Sequence, residues 1–183
     1  MEGFLNPSEV LKRLELKKNM IAADFGSGSG GWAIPLAKIL EEGKVYAIDI
    51  LEEPLSALRA KVKIEKLFNI ETRKADLEKG TTLLSDSCDL VLMTNLLFEC
   101  QDKKSVLKEG ERVLKPGGKI LVVDWKKDAP FGPKGREVLP EEIIKLAEEI
   151  GLELEKPAPP QTQGSGAGEF EAGSYHWGLI LLK

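Results

Sequence analysis

Cysteine and histidine are nearly missing from this chain of 183 residues: Cys88, Cys100 and His176 are all it has. The two cysteines show no CxxC spacing, and a single histidine cannot complete a ligand set with them. No metal site or disulfide framework is therefore expected. Cys88 adjoins the apolar run Leu90-Val91-Leu92 and reads as a buried, inert thiol. Long apolar runs are missing too; Ile120 to Val123 and Leu179 to Leu182 are far too short to cross a bilayer. The opening Met1-Glu2-Gly3-Phe4 lacks a basic region followed by an apolar core, so no secretory signal is read and the cytoplasm is the expected compartment. An excess of basic residues is also absent. With 26 Lys and Arg against 30 Asp and Glu, the net charge is −4, which argues against nucleic acid as the main partner. Lys61, Lys63 and Lys66 read as a solvated helix face.

What is present is an ordinary globular composition, 42% hydrophobic and 31% charged, in a length that suits one domain over 1–183. Asn6, Pro7 and Glu9 form a helix-start pattern, and Val10, Leu11 and Leu14 fall on one face of the short helix that follows. That helix is expected to pack on the domain, with a position over a ligand site open to it.

Strands and helices then alternate. Met20 to Asp24 reads as a first strand ending in Gly26-Ser27-Gly28-Ser29-Gly30-Gly31, followed by a helix through Trp32, Ile34, Leu36 and Leu40. Lys44 to Ile50 reads as the second strand, Glu52 to Phe68 as a helix and Ile70 to Lys74 as the third strand. Cys88 to Met93 is the fourth, Lys103 to Leu114 a helix, and Pro116-Gly117-Gly118 a turn into the fifth, Lys119 to Asp124. Lys126 to Leu139 reads as a loop. Pro140 opens a helix with Ile143, Ile144, Ala147 and Ile150 at helical spacing, closed by Gly151. Two last strands follow, Leu152 to Lys156 and about Ser174 to Leu182. Short apolar strands between amphipathic helices predict an α/β fold with a mostly parallel sheet covered on both faces. Right-handed crossovers would gather the loops after the strands along one ligand-binding edge.

The residues expected at that edge carry the chemistry. Glycines at 26, 28 and 30 permit a tight turn and close approach of the backbone to a ligand. Gly28 to Ala33 also satisfies the dinucleotide pattern G-x-G-x-x-A, so an NAD-type oxidoreductase is a rival reading. Three carboxylates weigh between the two. Asp49, ending the second strand, can accept ribose hydroxyls under either reading. Asp24, beside the glycine turn, would repel a pyrophosphate but attract an ammonium or sulfonium group. Asp76, after the third strand, is placed to accept from an adenine amine, or simply to cap the turn before Leu77-Glu78.

With those residues in place, the sequence resembles the class I S-adenosylmethionine-dependent methyltransferases. Ala22 to Gly30 looks like their first motif, and Val45-Tyr46-Ala47-Ile48-Asp49 like their second strand with its ribose-binding acid. Cys88 to Asn95 is similar to their fourth motif, and Arg112 to Gly118 to the turn before strand five. The similarity spans nearly the whole chain and points to the ubiquinone/menaquinone-biosynthesis and arsenite methyltransferase-like branch. It implies a Rossmann-like seven-stranded sheet of order 3-2-1-4-5-7-6, with strand seven antiparallel and helices on both faces. It also implies S-adenosylmethionine as cofactor and S-adenosylhomocysteine as product. Asp24 and the main chain from Gly26 through Ser27 to Gly28, with Gly30, would hold the methionine end. Asp49 would take the ribose and Ile50 would pack on adenine. Asp76 and Leu77 would meet the adenine edge, and Asn95 would lie near the reacting methyl.

The acceptor is not identified by any motif; a small molecule is expected because no added recognition domain is visible. Trp32, Tyr175 and His176 are candidate substrate contacts, and Trp32 also reads as core. His176 and Asp124 are the candidate general bases, should the nucleophile need one, and His176 also reads as a packed side chain. The protein would act as a monomer or homodimer. A cofactor-binding domain without turnover is the other rival. Two features depart from the family pattern. Gly110 lies inside a helix, where glycine costs about 0.5–1 kcal/mol relative to alanine. Residues 157–168, rich in Pro, Gln, Ser, Gly and Ala, read as a flexible linker-like insertion between the last two strands, natural or engineered.

Overall fold

A computed structural model describes residues 5–156 and 168–183 of the chain. The linker-like insertion therefore lies outside the described residues except for Gly168. In order, the elements are α1 (Pro7–Leu11), β1 (Ile21–Phe25), α2 (Ala33–Ile39), β2 (Lys44–Asp49), α3 (Glu52–Ile64) and β3 (Ile70–Lys74). They continue with β4 (Cys88–Thr94), α4 (Lys103–Val113), β5 (Leu114–Trp125), α5 (Pro140–Glu148), β6 (Glu153–Leu154), β7 (Glu169–Gly173) and β8 (His176–Leu182).

One sheet organises them, in the order β3-β2-β1-β4-β5-β8-β6, with β7 also paired to β8. The pairs from β3 through β5 are parallel, and β8 runs antiparallel to β5. The expected order is thus present, with β8 in the place of the seventh strand, and one strand is added. β6 and β7 share the free edge of β8: β6 meets its end at Leu181 and Leu182, β7 its beginning from His176 to Leu179. The extra strand reads poorly in sequence because Glu169-Phe170-Glu171-Ala172-Gly173 offers only two apolar side chains between glycines.

Successive strand residues face opposite sides, so two cores form. On one side Ala22, Leu92, Leu121 and Ile180 pack with α1 and α2 residues such as Leu11 and Leu36. On the other, Phe25, Met93, Val122 and Leu179 pack with Val106 and Leu107 of α4 and Ile143 of α5. Gly110 finds its reason here. A Cβ on it would lie 2.5 Å from Met93 Cε and 3.0 Å from Ile120 Cδ1. Glycine lets α4 sit close against β4 and β5.

Local chemistry sets the ends of the helices. Asn6 Oδ1 accepts from the Ser8 amide at 3.1 Å, while Glu9 turns away to Lys12 at 2.7 Å. α3 stops at Ile64, short of the expected Phe68. Lys66 adopts a left-handed conformation (φ 54°) and the Leu67 amide reaches back to the Val62 carbonyl at 3.0 Å. That is a helix-ending turn usually made by glycine. α2 spans Ala33–Ile39, so Trp32 and Leu40, expected within the helix, stand at its two caps. β5 begins at Leu114 and includes Pro116-Gly117-Gly118, expected as a turn.

Candidate functional site: an acidic cleft at the carboxyl edge of the sheet

The turn after β1 is folded onto β2. The amides of Gly26 and Ser27 both donate to the Ile48 carbonyl, at 2.9 and 3.0 Å. Gly26 and Gly30 have φ of 71° and 90°, a region that disfavours any side chain. A Cβ at Gly30 would also meet Leu58 Cδ1 at 2.3 Å, so glycine is needed for close packing of the turn on α3.

Asp49, at the tip of β2, ties this turn down. Its Oδ2 accepts from the Gly28 amide and its Oδ1 from the Leu51 amide, each at 2.9 Å. A carboxylate oxygen has more than one acceptor site, so both oxygens keep capacity for a ligand's hydroxyls.

Asp24, at the end of β1, is fully buried and neither carboxylate oxygen has a hydrogen-bond partner among the described residues. Burial pushes its pKa up to about 8; the Ala33 amide offsets part of that without closing a hydrogen bond, and the nearby Asp49 charge adds to it. Without a cation, Asp24 is held largely protonated at neutral pH.

A cleft of about 200 Å³ opens beside these groups. Six expected residues line it: Gly26, Asp49, Ile50, Asp76, Leu77 and Asn95. Ile50 is exposed, whereas Leu77 is buried. Asn95 has a left-handed backbone (φ 50°), donates its amide to the Val123 carbonyl at 2.7 Å, and leaves its own Oδ1 buried without a partner. Asp76 does two things at once. It lines the cleft, and it holds the turn after β3 by accepting from the Glu78 amide at 3.1 Å and pairing with Lys79 at 2.7 Å. The Lys79 contact holds its carboxyl below the usual carboxylate range.

Sequence reasoning missed five lining residues: Ala75, Glu78, Leu96, Glu99 and Cys100. Three of them belong to the connection from β4 to α4, whose position was readable only from the Asp102 cap of α4, which accepts from the Ser105 amide at 3.0 Å. Cys100 is unbridged, and burial, then the Glu78 charge, pushes its thiol up to about 12, so it is not a thiolate nucleophile. Cys88 is buried and unbridged, as expected.

The remaining expected residues stand outside the cleft lining. Asp24 and Ser27 are buried, Ser27 with an Oγ unpaired among the described residues, and Gly28 and Gly30 shape the turn. Trp32 packs in the core with Val10 and Leu11 of α1, and α1 contributes no lining residue. Asp124, nearly fully buried, accepts from the Trp125 amide at 2.8 Å and the Phe98 amide at 3.3 Å, tying the β4–α4 connection to β5. Burial raises its pKa to about 6 against the pull of those amides. His176 is buried against Trp125, with ring centroids 4.1 Å apart, and Tyr175 meets Phe131 edge to face at 6.1 Å. Burial, and then the Lys126 charge, lowers the His176 pKa to about 4, so the ring is neutral at physiological pH.

Buried acceptors beside a glycine turn, carboxylate capacity at the tip of β2 and an exposed isoleucine after it fit a nucleoside that carries cationic groups. Among the described residues no group of three or more His, Cys, Asp or Glu is arranged to hold a metal ion, and no helix is long and apolar enough to cross a membrane.

Comparison with known proteins shows the family and the fold. Residues 23–122 match the family described as a methyltransferase domain. The chain is 32% identical over 125 residues to the demethylmenaquinone methyltransferase of Geobacillus stearothermophilus, covering 68% of this chain and 53% of that protein. The chain thus spans about half the length of the curated relatives it matches. A crystal structure of a SAM-dependent methyltransferase from Aquifex aeolicus superposes with a TM-score of 0.83 at 30% identity, covering 97% of this chain and 89% of the other. CrArsM, an arsenic(III) S-adenosylmethionine methyltransferase from Chlamydomonas reinhardtii, shares the fold with a TM-score of 0.69 at 21% identity, covering 100% of this chain and 68% of that one.

Proposed function

Because the chain belongs to the class I S-adenosylmethionine-dependent methyltransferase family, we propose that it transfers a methyl group from S-adenosylmethionine to a small-molecule acceptor in the cytoplasm, as a monomer or homodimer. The observation that carries this reading is Asp24: a fully buried carboxyl group without a partner, placed against the glycine turn and beside Asp49.

In this reading Asp24 becomes ionised when the ammonium of the methionine end arrives, and the turn from Gly26 through Ser27 to Gly28 and Gly30 borders that end. Asp49 accepts the ribose hydroxyls with the capacity its two amide contacts leave. Ile50 supplies an apolar face to adenine, and Asp76 and Leu77 border the ring's edge. Asn95 faces the reacting centre with its unpaired carbonyl oxygen. The bound cofactor supplies an activated methyl group, so the chain's residues bind, align and exclude water. Holding the nucleophile about 3–3.5 Å from the methyl carbon contributes on the order of 7–11 kcal/mol to lowering the barrier. No dedicated base is then required. The chain is read as a single methyltransferase domain over 1–183, with 157–168 a linker-like insertion.

Titration calorimetry with S-adenosylhomocysteine and with NADH tests the reading. Binding of the former and not the latter is expected. Binding of NADH alone would replace the methyltransferase with a nucleotide-dependent oxidoreductase.

A further inference from the structure

β3 closes one end of the sheet, and among the described residues no strand pairs with its outer side. Its ladder with β2 sets Val45 opposite Ile70, Ala47 opposite Thr72 and Asp49 opposite Lys74. The Val45 amide donates to the Asn69 carbonyl at 2.8 Å, and the Ala75 amide to the Asp49 carbonyl at 3.0 Å. Those two bonds fix the phase: odd-numbered residues from 69 to 75 turn their main-chain groups to β2. Ile70, Thr72 and Lys74 therefore turn their N–H and C=O groups outward. Two devices that blunt such an edge are absent here. Ile70–Lys74 holds no proline, and its pairing with β2 shows no register shift.

The side chains along this edge complement one particular strand. Glu71 and Arg73 project to one side of the sheet, where Glu71 Oε1 accepts from Arg73 Nε at 2.8 Å and Oε2 pairs with Lys44 at 2.5 Å. Thr72 projects to the other side, its Oγ1 accepting from Arg59 of α3 at 3.2 Å. A two-fold axis lays a strand antiparallel against its own copy, and the position of the axis decides which residues meet. An axis at Glu71 sets glutamate against glutamate, one at Arg73 arginine against arginine, and one at Lys74 lysine against lysine. An axis at Ile70 pairs only part of the strand. An axis at Thr72 uses the whole of it: Glu71 meets Arg73 of the copy, Arg73 meets Glu71, and Ile70 meets Lys74. Opposite charges stabilise directly facing positions and like charges destabilise them, so one register is selected.

We propose that β3 is a self-association edge, pairing antiparallel with β3 of a second copy of this chain about an axis at Thr72. The outward groups of Ile70, Thr72 and Lys74 supply the main-chain hydrogen bonds, and the Glu71–Arg73 alternation supplies the specificity. α3 lies over the same edge through Arg59, so its flank joins the contact. A single strand pair falls short of the roughly 1,200 Å² of a standard interface, so a reversible dimer with a Kd on the order of 10 μM is expected.

Sedimentation velocity on the full chain, at protein concentrations from roughly 1 to 100 μM, reads the association. Wild type should pass from monomer to dimer across that range. Thr72→Pro removes an outward donor that the β2 ladder does not use, a position edge strands accept for proline, and should stay monomeric. Arg73→Glu sets glutamate against glutamate twice and should weaken the dimer at least about tenfold. Combining Glu71→Arg with Arg73→Glu restores opposite charges and should restore the dimer, which keeps the test decisive if Thr72→Pro fails to fold. Thermal unfolding identifies the folded variants. A wild-type protein that remains monomeric throughout, a dimer that folded Thr72→Pro forms as well as wild type, or a double variant as weak as Arg73→Glu would overturn the proposal.

Discussion

The Gly28 amide donates to Asp49 Oδ2 at 2.9 Å, so the residue assigned to the ribose also shapes the turn assigned to the methionine end. One carboxylate links two halves of the cofactor site. Asp49→Ala removes the ligand's acceptor and leaves the Gly28 and Leu51 amides without their partner. With about 1.5–3 kcal/mol for hydrogen bonds to a charged group, affinity for S-adenosylhomocysteine should fall roughly 10- to 150-fold. Calorimetry checks this; unchanged affinity would remove Asp49 from the site.

Asp24 makes stability depend on pH in an unusual direction. Its folded pKa, about 8, lies above the ordinary aspartate value of 3.8, so the folded state holds the proton more tightly than the unfolded chain. The contribution is therefore complete below about pH 4 and is lost as pH rises through 8. In the ligand-free protein, the melting temperature of Asp24→Asn should stay flatter than that of the wild type between pH 6 and about 9. Differential scanning calorimetry at several pH values reads the difference, and parallel curves would show that Asp24 does not titrate there.

Gly110→Ala tests the close seat of α4. Intrinsic helix propensity alone would stabilise the variant by about 1 kcal/mol. The new methyl would meet Met93 and Ile120, and such overpacking costs typically about 1–3 kcal/mol. Net destabilisation is expected in urea unfolding; a more stable variant would mean that Met93 moves aside freely.

Periodicity placed the parallel strands and the helices to within a few residues, because an apolar strand such as Leu90 to Met93 has little alternative to the middle of a sheet. The glycine turn, Asp49 and Asp76 were legible for a similar local reason: each follows a strand directly. What escaped depends on tertiary contact. β7 is a strand only because the edge of β8 is free beside it. Lys66 ends α3 in a conformation its side chain does not advertise. The β4–α4 connection lines the cleft because Asp124, far along the chain, anchors the Phe98 amide. Trp32, a candidate for ligand contact, is claimed by the apolar face of α1 instead.

The central claim is that a buried acid awaits a cationic nucleoside, and calorimetric proton counting tests it most directly. S-adenosylhomocysteine is titrated into wild type and Asp24→Asn near pH 7, in buffers that differ in ionisation heat. The account predicts that wild type releases close to one proton per ligand bound, while Asp24→Asn binds at least tenfold more weakly and releases about none. Equal affinity and equal proton release in the two proteins would contradict it.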